Sequence, residues 1–435
     1  MGIVGEVSAS FLSEPSVLTP QQKILNLTAE LRPRAPLHIF NHAVLRKNAR
    51  EFIDLFPGRV MYAVKSNPLE SVIETLHHAG IGIFDAASID EVRLIRRIAP
   101  TAKIHFMHTV KSREAIREAY FTHQVRVFVI DHLSELHKIV HETDLANDLE
   151  IFVRVALPKN KEAAVDFSAK FGATPKESVK LLREARLVSA KIGVMFHPGT
   201  QSTNPEIYAR GIATAAEIMR KSRVKIDALD VGGGFPAPYL GSDHPPLAVY
   251  MAVIAQAVKD HELQDLELYC EPGRALVAES GSLIVRVEQR RGRSLYLNDG
   301  VYGGLVEAAK WQGELRYPVM HISQDYRPQG DNIAPKTTYH GVDFAPILES
   351  PDKTSDLAPH KVPGRIPDGA DDSFNEFRFC GPTCDSVDMM KGPFILPDTI
   401  REGDWIMVGL TGAYSNACRT QFNGFREFEI INVDF

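Results

Sequence analysis

Eight short apolar runs, most of them separated by amphipathic segments, constrain the fold of this chain more than any other feature. They lie at residues 60–64, 82–84, 103–107, 125–130, 149–155, 191–196, 226–231 and 266–270. Runs this short and rich in β-branched residues read as strands buried on both faces. The segments between them, including 71–78, 89–98, 175–186, 205–221 and 250–261, carry apolar residues at helical spacing. Thr174-Pro175-Lys176-Glu177 adds a helix start, with Thr at the cap, Pro in the first turn and Glu three residues on. Eight strands alternating with helices predict an α/β fold, a parallel (β/α)8 TIM-like barrel, with a doubly wound open sheet as the competing arrangement.

Beyond residue 278 the pattern changes. Residues 283–287, 294–298, 378–379, 405–408 and 425–433 read as strands without intervening helices, which predicts a second, all-β domain. The expected organisation is an N-terminal segment, 1–40, that adds a strand at 37–40 to the β domain; a barrel over 41–278; and a β-sandwich or β-barrel over 279–435. A long insertion at about 321–375, rich in Pro, Gly, Asp and Lys, reads as a lid or a disordered stretch. Two domains are also the default for 435 residues. A net charge of −6 offers no basic face for nucleic acid and no polybasic membrane anchor. No apolar run approaches the ~20 residues that span a bilayer, so a cytoplasmic location is expected. Cys270, Cys380, Cys384 and Cys418 make no disulfide framework. The Cys380/Cys384 pair lacks a nearby histidine or second pair for a metal, and no metal site is expected.

In a barrel, catalytic groups gather at the C-terminal ends of the strands. Lys65 ends the first strand and Asp85 the second; Arg154 lies in the fifth and His197 ends the sixth. Gly232-Gly233-Gly234 follows the seventh, and Glu271-Pro272-Gly273-Arg274 the eighth. Lys65 leads into Ser66-Asn67-Pro68, a loop signal. Taken alone, this is most simply a surface lysine; withdrawn from water, it is an amine of lowered pKa able to attack a carbonyl. Three glycines let backbone N–H groups approach an anion, and Arg274 adds a planar cationic fork. Their spacing is not that of a dinucleotide fold. Glu271 alone reads as a solvated or ion-paired strand-end carboxylate and His197 as a satisfied strand-end histidine; beside a heterocyclic ring, the first could keep its nitrogen protonated and the second could stack on it. A reactive lysine, a phosphate cradle and a ring-nitrogen carboxylate together describe pyridoxal 5′-phosphate held as a Schiff base.

The motifs Tyr62-Ala63-Val64-Lys65-Ser66-Asn67, Phe196-His197-Pro198-Gly199-Thr200, Asp230-Val231-Gly232-Gly233-Gly234-Phe235-Pro236 and Glu271-Pro272-Gly273-Arg274 occur in that order. Asn298-Asp299-Gly300-Val301-Tyr302-Gly303, Gly381-Pro382-Thr383-Cys384-Asp385 and Gly412-Ala413-Tyr414 follow them. From about residue 37 to the C-terminus this series resembles the fold-type III pyridoxal-phosphate decarboxylases, the ornithine/lysine decarboxylase branch above all. The resemblance implies an alanine-racemase-like barrel plus C-terminal β domain, and a head-to-tail homodimer with shared active sites. It implies that Lys65 carries the cofactor, Glu271 meets the pyridinium nitrogen and His197 stacks on the ring. Thr200, where the family usually has Ser, would hold the phosphate with Gly233, Gly234, Gly273, Arg274 and Tyr414. Cys384 would reach across the dimer as the proton donor, and Asp385 as the clamp on the distal amine of the substrate. Lys170 and Asp388 resemble an intersubunit ion pair, while Tyr302 and Phe422 would line the substrate site.

The chain departs from that pattern after Tyr302. The run Gly303-Gly304-Leu305-Val306-Glu307-Ala308-Ala309-Lys310-Trp311 lacks the aspartate expected near Lys310 or Trp311. Glu307 is the candidate substitute, and Trp311 a candidate contact for an apolar part of the substrate. Pro198 is also unusual in the histidine motif. Decarboxylation of a basic L-amino acid, ornithine or lysine, is the function expected, with possible service in polyamine synthesis. A larger or modified substrate (diaminopimelate, a carboxylated polyamine, a D-amino acid), a racemase and a non-catalytic regulatory homologue stand as alternatives.

Overall fold

A computed structural model describes residues 18–157, 170–310, 315–328 and 373–435. Trp311 and residues 329–372 of the expected insertion lie outside the described residues. Strand β1 (Leu37–Asn41) comes first. It is followed by β2 (Arg59–Ala63), β3 (Ile83–Ala86), β4 (Lys103–Phe106), β5 (Val127–Ile130), β6 (Glu150–Val155), β7 (Lys191–Phe196), β8 (Ala228–Asp230) and β9 (Glu267–Cys270). Strands β2 to β9 close into a parallel barrel. The closing register, Arg59 opposite Tyr269 and Val60 opposite Cys270, rules out the open doubly wound sheet. Helices separate the strands. Thr174 caps one of them: its side chain accepts from Glu177 N, the Glu177 side chain answers at Thr174 N, and Pro175 opens the first turn. The helix Pro20–Leu31, which the sequence reading missed, opens on the same device with Thr19 and Gln22. Inside the barrel Met61, Val127, Val129, Phe152, Met195 and Tyr269 form a layer of their own. Truncating a buried ring such as Phe152 to alanine costs about 3–5 kcal/mol.

The second sheet comprises β10 (Gly281–Arg291), β11 (Ser294–Leu297), β12 (Val319–Ile322), β13 (Phe374–Cys380), β14 (Met389–Pro397), β15 (Trp405–Gly409) and β16 (Glu429–Val433). Its order is β12-β15-β10-β11-β13-β14, and β1 joins it antiparallel to β10 and parallel to β16. Both ends of the expected 321–375 insertion are therefore strand: His321 and Ile322 belong to β12, Phe374 and Asn375 to β13. His321 Nε2 is anchored on Asp404 Oδ2 at 2.8 Å. Strand β14 escaped the sequence reading because Gly392-Pro393 reads as a chain breaker; at the edge of the sheet such a proline is tolerated. The two sheets meet beside the barrel mouth, where Tyr414 N donates to Ser66 O (2.7 Å) and Asn67 Nδ2 to Gly412 O (2.8 Å). Among the described residues no helix is long and apolar enough to cross a membrane.

Candidate active site

Strand β2 runs directly into a single 3-10 turn, Val64–Ser66, which carries Lys65. Ser66 Oγ donates to Ala63 O (2.8 Å), and Tyr62 OH donates to Asn67 O (2.9 Å), so the turn is fixed on both sides of the lysine. Lys65 Nζ donates to Asp85 Oδ2, at the end of β3, at 2.8 Å. Asp85 is buried, whereas 40% of the Lys65 side chain surface remains open. Burial lowers the amine's pKa, but Asp85, Glu271 and Tyr414 outweigh it and the net shift is upward. The expectation of a lowered pKa is thus corrected. Paired with Asp85, the lysine rests as an ammonium and becomes a nucleophile when that contact is exchanged.

Glu271 follows β9 directly, and its N–H donates to Gly232 O (2.8 Å). Burial pushes its carboxyl well above the usual range, and the nearby Asp230 and Asp85 add to the effect. Asp230, which accepts from Gly232 N at 2.8 Å, is raised to about 7, chiefly by burial. The two acids share one buried site and hold a proton near neutrality. Asp230 was not foreseen as a site residue, although an acid at the end of β8, two residues before the glycines, carried the signal. His197 ends β7; Gly199 N–H donates to its Nδ1 at 3.1 Å, which leaves the ring proton on Nε2. Burial, with Arg154 and Lys65 nearby, keeps that imidazole neutral. Arg154 in β6 is half-buried; desolvation lowers its pKa against the pull of Glu271 and Asp131.

The loops after β7 and β8 are tied together. Ser202 N donates to Gly234 O (2.9 Å), while Gln201 Nε2 donates to Ala237 O and Ala237 N to Gln201 Oε1 (3.0 Å). Thr200 stands next to this tie. Gly234 has φ +89°, and a Cβ there would run into Gly199 O; only glycine gives this close approach. Gly273 lies against Ser66. Arg274 is buried, and both of its Nη atoms are engaged. Its Nη1 donates to Tyr239 OH (2.9 Å) and Glu307 Oε2 (2.6 Å), and its Nη2 to Glu307 Oε1 (2.9 Å). Tyr414 places its ring 4.9 Å from the guanidinium carbon. Glu307 therefore does not stand free for a substrate amine: the helix Val306–Lys310 delivers its carboxylate to Arg274. Neither Tyr239 nor this pairing was foreseen, because nothing local in the sequence links residues 33 positions apart.

Tyr302, Cys384, Asp385, Asp388 and Phe422 form a second cluster, on loops of the second sheet. Tyr302 OH donates to Asp385 Oδ2, and the Tyr302 ring lies 4.5 Å from that of Phe422. Cys384 is exposed, its Sγ and N both 3.2 Å from Asn423 Oδ1. Asp388 is buried, accepting from Val301 N (2.7 Å) and Thr383 Oγ1 (2.7 Å). Lys170 lies 4.8 Å over Phe171 and is not brought to Asp388 within the chain. No hydrogen bond or ion pair among the described residues joins Cys384 or Asp385 to Lys65.

Comparison with known proteins agrees with this geometry. Residues 42–278 match the pyridoxal-dependent decarboxylase family, pyridoxal binding domain. The chain is 26% identical to a lysine/ornithine decarboxylase of Selenomonas ruminantium, over 84% of this chain and 81% of that protein. It is 28% identical to antizyme inhibitor 2 of Xenopus laevis, over 93% and 82%. The solved lysine/ornithine decarboxylase of Vibrio vulnificus, complexed with putrescine, superposes with a TM-score of 0.72 at 26% identity, covering 96% of this chain and 99% of that one. Pyridoxal phosphate is the cofactor this family uses, and the site has the complementary atoms. Glu271 Oε1 is a buried acceptor and Arg274 Nε a buried donor, neither with a hydrogen-bond partner among the described residues. One suits a protonated ring nitrogen, the other a phosphate oxygen. With the barrel closed, the lysine, glutamate and arginine at its mouth, and the match spanning 42–278 of 435 residues, this chain belongs to the pyridoxal-dependent decarboxylase family.

Proposed function

We propose that this protein removes the α-carboxylate of a basic L-amino acid of the lysine or ornithine class, as a homodimer whose sites are shared between subunits. The observation that carries the reading is the barrel-mouth set of Lys65, Asp85, Glu271 and Arg274, with an exposed Cys384–Asp385 pair held apart from it. Bound pyridoxal phosphate supplies the electron sink for the pair released when the Cα–carboxylate bond breaks. Lys65 Nζ would hold the cofactor covalently, with Asp85 beside it as the counter-charge. Glu271 would face the ring nitrogen through its unpartnered Oε1 and keep that nitrogen protonated. The neutral His197 covers the ring, and Arg274 with the N–H groups of Gly233 and Gly234 takes the phosphate. Cys384 of one subunit delivers the proton to Cα at the Lys65 of the other, and Asp385 receives the distal ammonium of the substrate. The separation of the two clusters within one chain supports this division across a dimer, as does the exposure of Val387, Met389, Phe422 and Phe425 around Cys384.

With Glu307 committed to Arg274, one carboxylate, Asp385, is left for the distal ammonium in place of two. Lysine and ornithine head the list because the relatives that carry those names align along most of the chain. A CO2-release panel over L- and D-ornithine, lysine, arginine, diaminopimelate and carboxylated polyamines tests the reading. Release from none of them by holoenzyme would overturn it. A second reading, a protein-binding role without turnover, draws on the likeness to antizyme inhibitor 2 and predicts that same silence. Retention of Lys65, Glu271, Arg274 and Cys384 together argues against it.

A further inference from the structure

The buried pair formed by Arg274 and Glu307 is an unusual object to find where a phosphate is to bind. Arg274 is 4% exposed and Glu307 6%. Both Nη atoms face Glu307, Nη1 also meets Tyr239 OH, and Nε is left without a partner among the described residues. A guanidinium so engaged is fixed in orientation and carries little uncompensated charge. An incoming phosphate meets a neutral ion pair with few donors to offer, and it meets a carboxylate as a competitor. The same pair keeps Arg274 from being a buried, unpaired cation when no phosphate is near.

We propose that Glu307 is a positioning residue for the cofactor phosphate: its bidentate contact orients Arg274, balances the arginine's charge and competes with the phosphate for it. The proposal rests on the reading that Arg274 is part of the phosphate cradle. It removes Glu307 from the substrate site and makes the phosphate grip weaker than an unpaired arginine would give. The charge balance extends to the bound phosphate itself. The other titratable groups around Arg274 are Tyr239, Tyr317 and Tyr414, all pushed upward by burial and therefore neutral between pH 5 and 8, with Lys65 and Asp85 beyond Tyr414. A phosphate with its second pKa near 6 then keeps titrating in that window, whereas an uncompensated arginine would hold it as the dianion.

The experiment compares pyridoxal phosphate with pyridoxal, each titrated into the apo-dimer, so that the ratio of dissociation constants reports the phosphate's share of binding. Glu307→Gln should raise that ratio by about tenfold or more, the scale of one charged hydrogen-bond partner. It should also lower the melting temperature of the apo-protein and let inorganic phosphate recover more of it than in wild type. Arg274→Ala should collapse the ratio. An unchanged or reduced ratio in Glu307→Gln, with Arg274→Ala still collapsing it, overturns the role of Glu307 alone. A ratio that survives Arg274→Ala overturns the phosphate reading beneath it. Should the glutamine variant fail to fold, phosphorus NMR of wild-type holoenzyme decides: a bound-phosphate signal that shifts between pH 5 and 8 is expected, and a pH-independent one overturns the proposal.

Discussion

Lys65, Asp85, Glu271 and Arg274 stand at the ends of barrel strands with their charges answered inside the protein, whereas Tyr302, Cys384 and Asp385 ride on loops of the second sheet with the thiol open to solvent. The first cluster has ion pairs at 2.8 Å and 2.6 Å and acids pushed upward by burial. In the second, Asp385 is held below its usual range by Tyr302 OH and Val387 N. Strand ends fix positions to the precision that cofactor chemistry needs, and low dielectric makes each charge there strong. Loops leave room for a substrate and depend on another surface to exclude water.

That contrast can be broken by substitution, and the largest effect belongs to the buried side. Lys65→Ala should lower CO2 release by more than about 10³-fold, the loss of the proposed covalent anchor, and should abolish borohydride labelling of the peptide around residue 65. A label on a different lysine would place the cofactor elsewhere. Cys384→Ala should lower kcat by about 10²-fold, as expected for a proton donor, while the cofactor absorbance stays the same. Mixing Lys65→Ala with Cys384→Ala subunits should then return up to about a quarter of wild-type activity, the share from random assortment in a two-fold dimer. No recovery, with subunit exchange demonstrated, would place both residues in one subunit's site. Asp385→Asn should raise KM for a diamino acid by about tenfold and change kcat less, since the distal ammonium is its proposed partner; equal losses in both constants would contradict that assignment.

The smallest effect is on stability. Glu91, whose carboxylate accepts from Ala87 N at 2.7 Å, is pushed by burial up to about 7 from 4.5, with Asp85 adding to the shift. A raised carboxyl pKa contributes stability that is complete below about pH 4.5 and is lost as pH rises through 7. Glu91→Gln should match wild type in urea near pH 4.5 and exceed it increasingly toward pH 8. Parallel stability curves would show that Glu91 ionises without cost.

The barrel was legible because period and spacing are local: β-branched runs, amphipathic gaps and the Thr174 cap each declare themselves within a few residues. Lys65, Glu271 and Arg274 were legible for the same reason, since finding a strand's end finds the residue that follows it. Strand β12 was half hidden in a stretch rich in turn residues, and β14 was hidden behind Gly392-Pro393. The upward shift of Lys65 was not legible either. It depends on Asp85, which lies in register on the neighbouring strand, and the sequence carries desolvation but not its compensation.

By itself, the sequence determined which residues could do chemistry and at which strand ends they would stand, because backbone pattern is written in short-range periodicity. Only the tertiary structure decided which charges meet. Glu307 read as a free acid in a departing motif and became the partner of Arg274; Asp230 read as one residue of a buried strand and came to share a buried site with Glu271. Electrostatics acts through space over a few ångströms, and the fold, not the spacing along the chain, sets those distances.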